Sequence, residues 1–466
     1  MKLYNTLTAQ KEEFVPMRAP QVKMYVCGVT PYSNAHVGHA MSSIVFDMIR
    51  RYLEFRGYQV TYIQNFTDVD DKIIDRANQL SITPEELAEK YIGEFYSDMT
   101  SLHVRPATAF VRATSEMDRI LEVIEGLIDR GMAYAVDGDV YYRVTRDKDY
   151  GKLSHRPLAE MEAGARVEVD PRKETPMDFA VWKTAKPGEP SWPSPWGPGR
   201  PGWHIECSAI VLSHLGPQID IHGGGADLIF PHHENEIAQS ESFTGQVPFA
   251  KYWLHNGLLQ LGGEKMSKSL GNLVTIKEAL SEFSADAIRL FVLTSHYRGP
   301  LTYSSDGVGS SERGVDRLRA AVNPRSSAAP SGEPPELAIA RQRAIAQFTA
   351  SMDDDLNTAS GIAQLHDLAR EINRARENGV TEAGVVEAQR TLLRLAGVLG
   401  LTLEEPRHDL AANPFIDLLV KVRRDLRTAK QFALSDQIRN ELLKLGIAVE
   451  DRADGSSWRA VRPPGE

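Results

Sequence analysis

Two imidazoles flank a glycine at His36, Gly38 and His39, and two lysines stand three apart at Lys265 and Lys268. Imidazole and ammonium groups both donate to phosphate oxygens, and a glycine between the rings lets a nucleotide approach the backbone. A second set has a different chemistry. Cys27, Cys207, His232, His233 and Glu236 offer two thiols, two imidazoles and a carboxylate, which suit tetrahedral zinc. Glu236 lies four residues from His232 and three from His233, so helical geometry leaves either imidazole available as its partner. The spacing is not that of a zinc finger.

These residues need elements to hold them. The apolar run Val22 to Val26 reads as a strand ending at Cys27 and Gly28. From Ala40 to Phe55, Ile44, Met48, Tyr52 and Phe55 fall on one helical face, and Gly57 stops the helix. A second strand runs from Val60 to Phe66. In such a βαβ unit the His36–His39 loop sits where strand ends and the helix dipole favour an anion. Thr67 ends the second strand and is expected near the substrate, while Thr67, Asp68 and the following acids are expected mostly to cap the next helix. Lys265 and Lys268 lie among Gly262, Gly263 and Gly271, a loop able to gather round a triphosphate.

Further along, Trp203 to Cys207 precedes an apolar helix at 208–215, and Phe230 to Glu236 opens a helix that runs to Phe243. Between them, the strand Ile219 to Ile221 ends in His222 and Gly223 to Gly225. Glycines there, Gly224 among them, would let a nucleotide lie against the backbone, and Asp227 would accept from ribose hydroxyls.

Composition bounds these readings. The chain has 466 residues, 42% apolar and 25% charged, and contains two cysteines. No disulfide framework is possible beyond one pair, no run reaches the roughly 18–20 apolar residues of a membrane span, and the first residues lack a signal-peptide pattern. A cytoplasmic enzyme without membrane attachment is expected. A net charge of −10 excludes a protein coated in basic residues for nonspecific nucleic-acid binding, though not a local basic face. Between 414 and 462, ten basic residues meet seven acidic ones, with Lys421, Arg423, Arg424, Arg427, Lys430 and Trp458 placed to meet RNA.

The combination of His-Val-Gly-His early and Lys-Met-Ser-Lys-Ser late resembles the signature pair of class I aminoacyl-tRNA synthetases. Within them, the cysteine-specific branch is similar along nearly the whole chain: Cys27 before the histidine loop, Trp203 to Cys207, Phe230 to Ser240, and Lys265 to Ser269. The resemblance implies an α/β fold, in which a Rossmann-like parallel-sheet catalytic domain with an insertion precedes a helical bundle and a small mixed C-terminal domain. The expected divisions are 1–112 with 201–250 catalytic, 113–200 the insertion, and 251–322 the lysine loop and stem-contact region. A linker at 323–337, a bundle at 338–410 and an anticodon-binding domain at 411–466 complete them.

For the site, the resemblance implies one zinc held by Cys27, Cys207, His232 and Glu236, choosing His232 over His233. It implies L-cysteine near Gly28, Thr67 and Trp203, and ATP with magnesium at His36, Gly38, His39, Gly224, Asp227 and Lys268. His36, His39, Lys265 and Lys268 would stabilise charge during adenylate formation, tRNA(Cys) would be the acceptor, and a monomer is expected. A ligase joining cysteine to an aminosugar in mycothiol synthesis shares the catalytic half. The stretches Ala429 to Arg439 and Asp454 to Trp458 instead resemble the synthetase's tail. A non-catalytic RNA-binding paralogue is the third possibility, disfavoured because both loops and all four zinc positions are present.

Overall fold

In the computed structural model the described residues are 1–160, 170–261, 264–265, 273–324, 332–404, 413–452 and 455–461. They form two compact units, Met1–Leu403 and Glu404–Glu466. A short hairpin, β1 (Lys2–Asn5) and β2 (Gln10–Glu13), opens the first.

The apolar run near the amino terminus becomes β3 (Gln21–Val29), the middle of a five-stranded sheet. α1 (Val37–Phe55) carries the chain across to β4 (Gln59–Phe66). The predicted face of α1 is buried through Ile44, Met48 and Tyr52, and Gly57 follows its end in the left-handed conformation that favours glycine. α2 (Asp71–Leu80) and α3 (Pro84–Ser101) lead to the edge strand β5 (Ala109–Arg112). Asp70 caps α2 by accepting from the Lys72 N–H. Asp68 and Thr67 do not: Asp68 instead accepts from the backbone and hydroxyl of Thr114, tying β4's end to the next segment.

After α4 (Met117–Asp129) the chain builds a separate antiparallel sheet. Its strands are β6 (Ala133–Val136), β7 (Asp139–Tyr142), β8 (Phe179–Thr184) and β9 (Gly199–Pro201). Asp137 and Gly138 make the β6–β7 turn with positive φ, as the Asp-Gly pair demands. α5 (Trp203–His214) begins five residues earlier than the apolar pattern indicates, because Trp203 to Cys207 already forms its first turn. β10 (Ile219–Gly225), α6 (Glu234–Thr244) and β11 (Ala250–Asn256) return the chain to the main sheet.

The sheet order is β11-β10-β3-β4-β5, and every pairing is parallel. The sequence of strands therefore proceeds outward in opposite directions from β3 and from β10, and the crevice beyond their carboxyl ends at this switch point is where such sheets bind ligands. Register aligns the donors there: Gly223 faces Val26 across one ladder, and Gly224 faces His255 across the next.

A small sheet of β12 (Leu259–Leu261), β13 (Glu264–Lys265) and β14 (Leu301–Tyr303) brackets α7 (Ile276–Glu282) and α8 (Ala285–Leu293). α9 (Ser305–Val322), α10 (Pro335–Asp353), α11 (Thr358–Glu377) and α12 (Glu382–Val398) pack together as helices. Their apolar faces join α1 in one continuous core, with Phe348, Leu365 and Leu392 beside Ile44 and Met48. Arg370, Arg374 and Arg390 pair with acids one turn away, as a solvated helix face does.

The second unit holds α13 (Asn413–Thr428), α14 (Phe432–Lys444) and the antiparallel β15 (Ile447–Arg452) and β16 (Gly455–Ala460). α13 ends short of Phe432 because Lys430 takes a positive φ. Ile416, Val420, Leu442 and Val449 form its core. Arg423 lies buried on that inner face, so it leaves the basic surface to its neighbours.

Candidate active site and metal centre

His36 is the cap of α1. Its Nδ1 accepts from the Gly38 N–H at 3.1 Å, while the His36 N–H donates to His39 Nδ1 at 3.4 Å. The two rings stack with centroids 3.8 Å apart. Because each Nδ1 accepts, each ring carries its proton on Nε2. An imidazole replaces the usual Ser or Asp cap, so the helix start gains two N–H donors in place of an anionic oxygen.

The segment that leaves the lysine loop returns to this turn. Val37 N–H donates to Val274 at 3.0 Å and Ile276 N–H donates to Ala35 at 3.1 Å. Lys265 pairs through its backbone with Gln260 in β13 and β12. Lys268 lies outside the described residues.

Three strand and helix ends meet at the sulfurs. Cys27 ends β3, Cys207 sits in the first turns of α5, and His232 precedes α6, which carries Glu236. Cys27 Sγ is 3.8 Å from Cys207 Sγ and 3.4 Å from Glu236 Oε1. His232 Nε2 stands 3.0 Å from the same oxygen. Cys27, Cys207, His232 and Glu236 thus present one donor atom each within 4.8 Å of one another. A second group, Cys27, His222, His233 and Glu236, satisfies the same limit and shares two members.

The donor chemistry separates the two. Two sulfurs at the ~2.3 Å zinc–sulfur distance of a tetrahedral site lie about 3.8 Å apart, which is the separation found here. His222 and His233 also make contacts outside the Cys27–Cys207 pair. His222 Nε2 is 2.8 Å from Glu236 Oε2, the carboxylate oxygen turned away from the sulfurs. His233 Nδ1 contacts His255 Nε2 at 2.8 Å, and His255 Nδ1 contacts the Thr6 hydroxyl at 2.8 Å. His204 Nδ1 is 2.9 Å from His232 Nδ1, leaving Nε2 as the His232 atom that faces the donors. Metal-ligating groups are held by outer partners of this kind.

Electrostatics fit a cation. Burial pushes the Cys27 thiol well up, and the neighbouring Cys207 adds to it. Burial also opposes ionisation of Cys207, but the Cys27 hydrogen bond and the His232 ring bring it down to about 6. Glu236 is pulled to about 2 by His222 and His232 against burial. His232 is lifted against burial to about 10 by Cys207 and Glu236. Burial and the neighbouring charges thus favour ionisation of Cys207 over that of Cys27, and a cation bound among them would favour it in both. Burial and surrounding imidazoles push His233 well down and His255 to about 3, so both stay neutral.

The remaining expected residues surround this crevice. The Gly28 N–H donates to Asn65 Oδ1 at 2.7 Å, and Asn65 Nδ2 donates to the buried Thr67 hydroxyl at 3.3 Å. A Cβ on Gly28 would fall 1.7 Å from the Asn65 carbonyl oxygen, so only glycine permits this approach of β3 to β4. Trp203 is partly exposed and its ring lies 4.3 Å from that of His232. Gly224, next to last in β10, lies against the His233 ring, and Asp227 follows in the turn after the strand. Asn65 and His255 contact these residues although the sequence reading did not single them out.

The family described as "tRNA synthetases class I (C) catalytic domain" matches residues 13–313. A DALR domain matches 347–404, and a domain described as "Cysteinyl-tRNA ligase anticodon binding domain" matches 413–459. Methionyl-tRNA synthetase of Mycobacterium tuberculosis, solved with methionyl-adenylate, superposes at a TM-score of 0.58 and 17% identity over 86% of this chain and 94% of that one. The fold and the match define an aminoacyl-tRNA synthetase of class I. A cysteine–tRNA ligase of Dehalococcoides mccartyi is 57% identical over 99% of this chain and all of its own length. That of Symbiobacterium thermophilum is 48% identical over 98% and 99%. The chain belongs to the cysteine–tRNA ligase family.

Proposed function

We propose that this enzyme activates L-cysteine with ATP to cysteinyl-adenylate and passes it to the 3′ end of tRNA(Cys), choosing cysteine over serine through a metal-held thiolate. The observation that carries the reading is the convergence of Cys27 and Cys207, 180 positions apart, at 3.8 Å beside His232 and Glu236. These four would hold zinc, with His232 using Nε2 and Glu236 using Oε1. Zinc there supplies a soft Lewis-acid contact for a substrate thiolate, which a serine hydroxyl, far harder to ionise, matches poorly.

ATP would enter beyond β3 and β10 with magnesium on its phosphates. The substrate carboxylate attacks the α-phosphorus in line, the bond to the β-phosphate oxygen breaks, and pyrophosphate leaves. His36 and His39 donate their Nε2 protons to the phosphate oxygens as charge builds, and need accept none, since a carboxylate nucleophile is already ionised. Lys265 and Lys268 add ammonium groups from the loop whose far end is bonded to Ala35 and Val37. Gly224 and Asp227 face the adenosine, while Gly28, Thr67 and Trp203 face the amino acid.

Residues 413–459 would read the anticodon and α9 to α12 would carry the stem, in a cytoplasmic monomer. Labelled cysteine, ATP and either tRNA(Cys) or the mycothiol aminosugar test the acceptor. Label on tRNA is expected; label on the aminosugar alone, or none with silent pyrophosphate exchange, overturns the reading. Cys207→Ser should lose bound zinc and accept serine. Retention of both zinc and discrimination would refute the coordination account.

A further inference from the structure

Asp71 opens α2, where an acid suits the helix dipole, yet its carboxylate is taken by two cations of the insertion sheet. Lys183 and Arg200 are register partners across β8 and β9. Like charges directly opposite each other repel, and here one acid from another element answers both. Asp71 Oδ2 accepts from Lys183 Nζ at 3.1 Å, and its Oδ1 accepts from Arg200 Nη2. Burial opposes ionisation of Asp71, but Lys183 and Arg200 outweigh it and hold the carboxyl below the ordinary 3.8. Glu189 also accepts from Arg200 Nε at 3.4 Å. Arg200 is 5% exposed, so it is a buried cation held by two carboxylates and not half of a solvated surface pair.

Apolar packing does not make this link. Ile73 and Ala77 of α2 share one apolar cluster with Leu87, while Val181 and Trp182 of β8 share another with Ile120 and Ile205. Among the described residues none belongs to both. Each element is held by its own core, and the ion pairs fix the distance between them. Two of the residues proposed to face the amino acid flank that bridge. Thr67 lies just past β4, four residues before Asp71, and Trp203 starts α5, three residues after Arg200. The step from β9 into α5 is stiff. The Gly202 N–H donates to the Val181 carbonyl at 2.8 Å, and a Cβ on Gly202 would fall 2.0 Å from the Ala180 oxygen.

We infer that Asp71 and Arg200 are positioning residues for the amino-acid substrate: their bridge sets the spacing between Thr67 and Trp203, and through it the binding of cysteine but not of ATP. This rests on the reading of the crevice as the cysteine site. Asp71 meets no substrate atom and acts through the two elements it ties together.

The test uses the zinc-loaded full chain in pyrophosphate exchange. Asp71→Asn should raise the cysteine KM roughly 10–100-fold, with ATP KM, kcat and zinc content unchanged. An unchanged cysteine KM overturns the assignment, as does an equal rise in both KM values, which marks a general structural role. Should Asp71→Asn melt early, Arg200→Lys takes its place, because it keeps the charge beside Glu189 and loses the forked reach to Asp71. A rise in cysteine KM alone then supports the assignment, and no change refutes it. Trp203→Ala separates the two readings. If it raises the cysteine KM while Asp71→Asn does not, only the bridge fails; if neither variant does, the cysteine-site reading fails and this inference with it.

Discussion

His222 Nε2 stands 2.8 Å from Glu236 Oε2, with both side chains wholly buried. That contact decides which carboxylate oxygen faces the sulfurs: Oε1 is left toward Cys27 and His232. The His222 ring also stacks on Trp253, centroids 4.2 Å apart. Replacing it by phenylalanine keeps the stack and removes the donor. His222→Phe should lower zinc affinity roughly 10–100-fold without unfolding the chain, measured by competition with a chelator. Unchanged affinity would mean that Glu236 needs no outer partner.

Gly28 offers a sharper steric test. Its missing Cβ is replaced by the Asn65 carbonyl oxygen, a backbone atom that no rotamer change can move. β3 and β4 already shift register between Val26 and Val29 at this point. Gly28→Ala should cost about 1–3 kcal/mol of stability and raise the cysteine KM, because the Gly28 to Asn65 bond is lost with the approach. A variant with native melting temperature and cysteine KM would contradict the geometry.

Much of this was legible in the sequence, and the omissions have physical causes. The βαβ unit and the histidine loop follow from local periodicity and motif, whereas spacing left His232 and His233 both open as partners of Glu236 and only the family resemblance chose His232. His255 and His222 carry no such pattern. They reach the cluster because β10 and β11 pair in parallel with Gly224 opposite His255, and register between segments 31 residues apart is not written in either one. Asn65 acts through a hydrogen bond to Gly28, between strands that the sheet order brings together. Arg423 is different, since its burial was readable: Ile416, Val420 and Arg423 share one helical face. Its charge suggested surface, and packing overrode it.

A buried ion pair joins the catalytic helix to the helices beyond the lysine loop. Arg289 of α8 reaches Asp47 of α1 at 2.6 Å, and it also donates to the carbonyl oxygens of Leu102 and Leu399. Asp47 receives Arg51 and the Arg105 N–H as well. Arg289→Met leaves Asp47 short of its buried partner and three carbonyl contacts unmade. It should destabilise the first unit by about 3–5 kcal/mol, read by urea unfolding. A loss below 1 kcal/mol would show that Arg51 alone satisfies Asp47.

Asp286 gives the pH dependence. Burial pushes its carboxyl up, but His103 and the Thr402 and Leu403 N–H groups outweigh burial and hold it below the ordinary 3.8. The folded value lies below the unfolded one, so the protein gains stability from this group above the unfolded value. That gain disappears as pH falls through the folded value, where both states bind the proton. Asp286→Asn keeps the shape, removes the charge and weakens the bonds that join the start of α8 to Thr402. The variant should melt below the wild type at pH 7 and by nearly the same margin at pH 5. The margin should narrow only below about pH 4, where the wild-type carboxyl takes its proton. A margin that is constant down to pH 2, or that grows on acidification, would show that the carboxylate charge contributes nothing there.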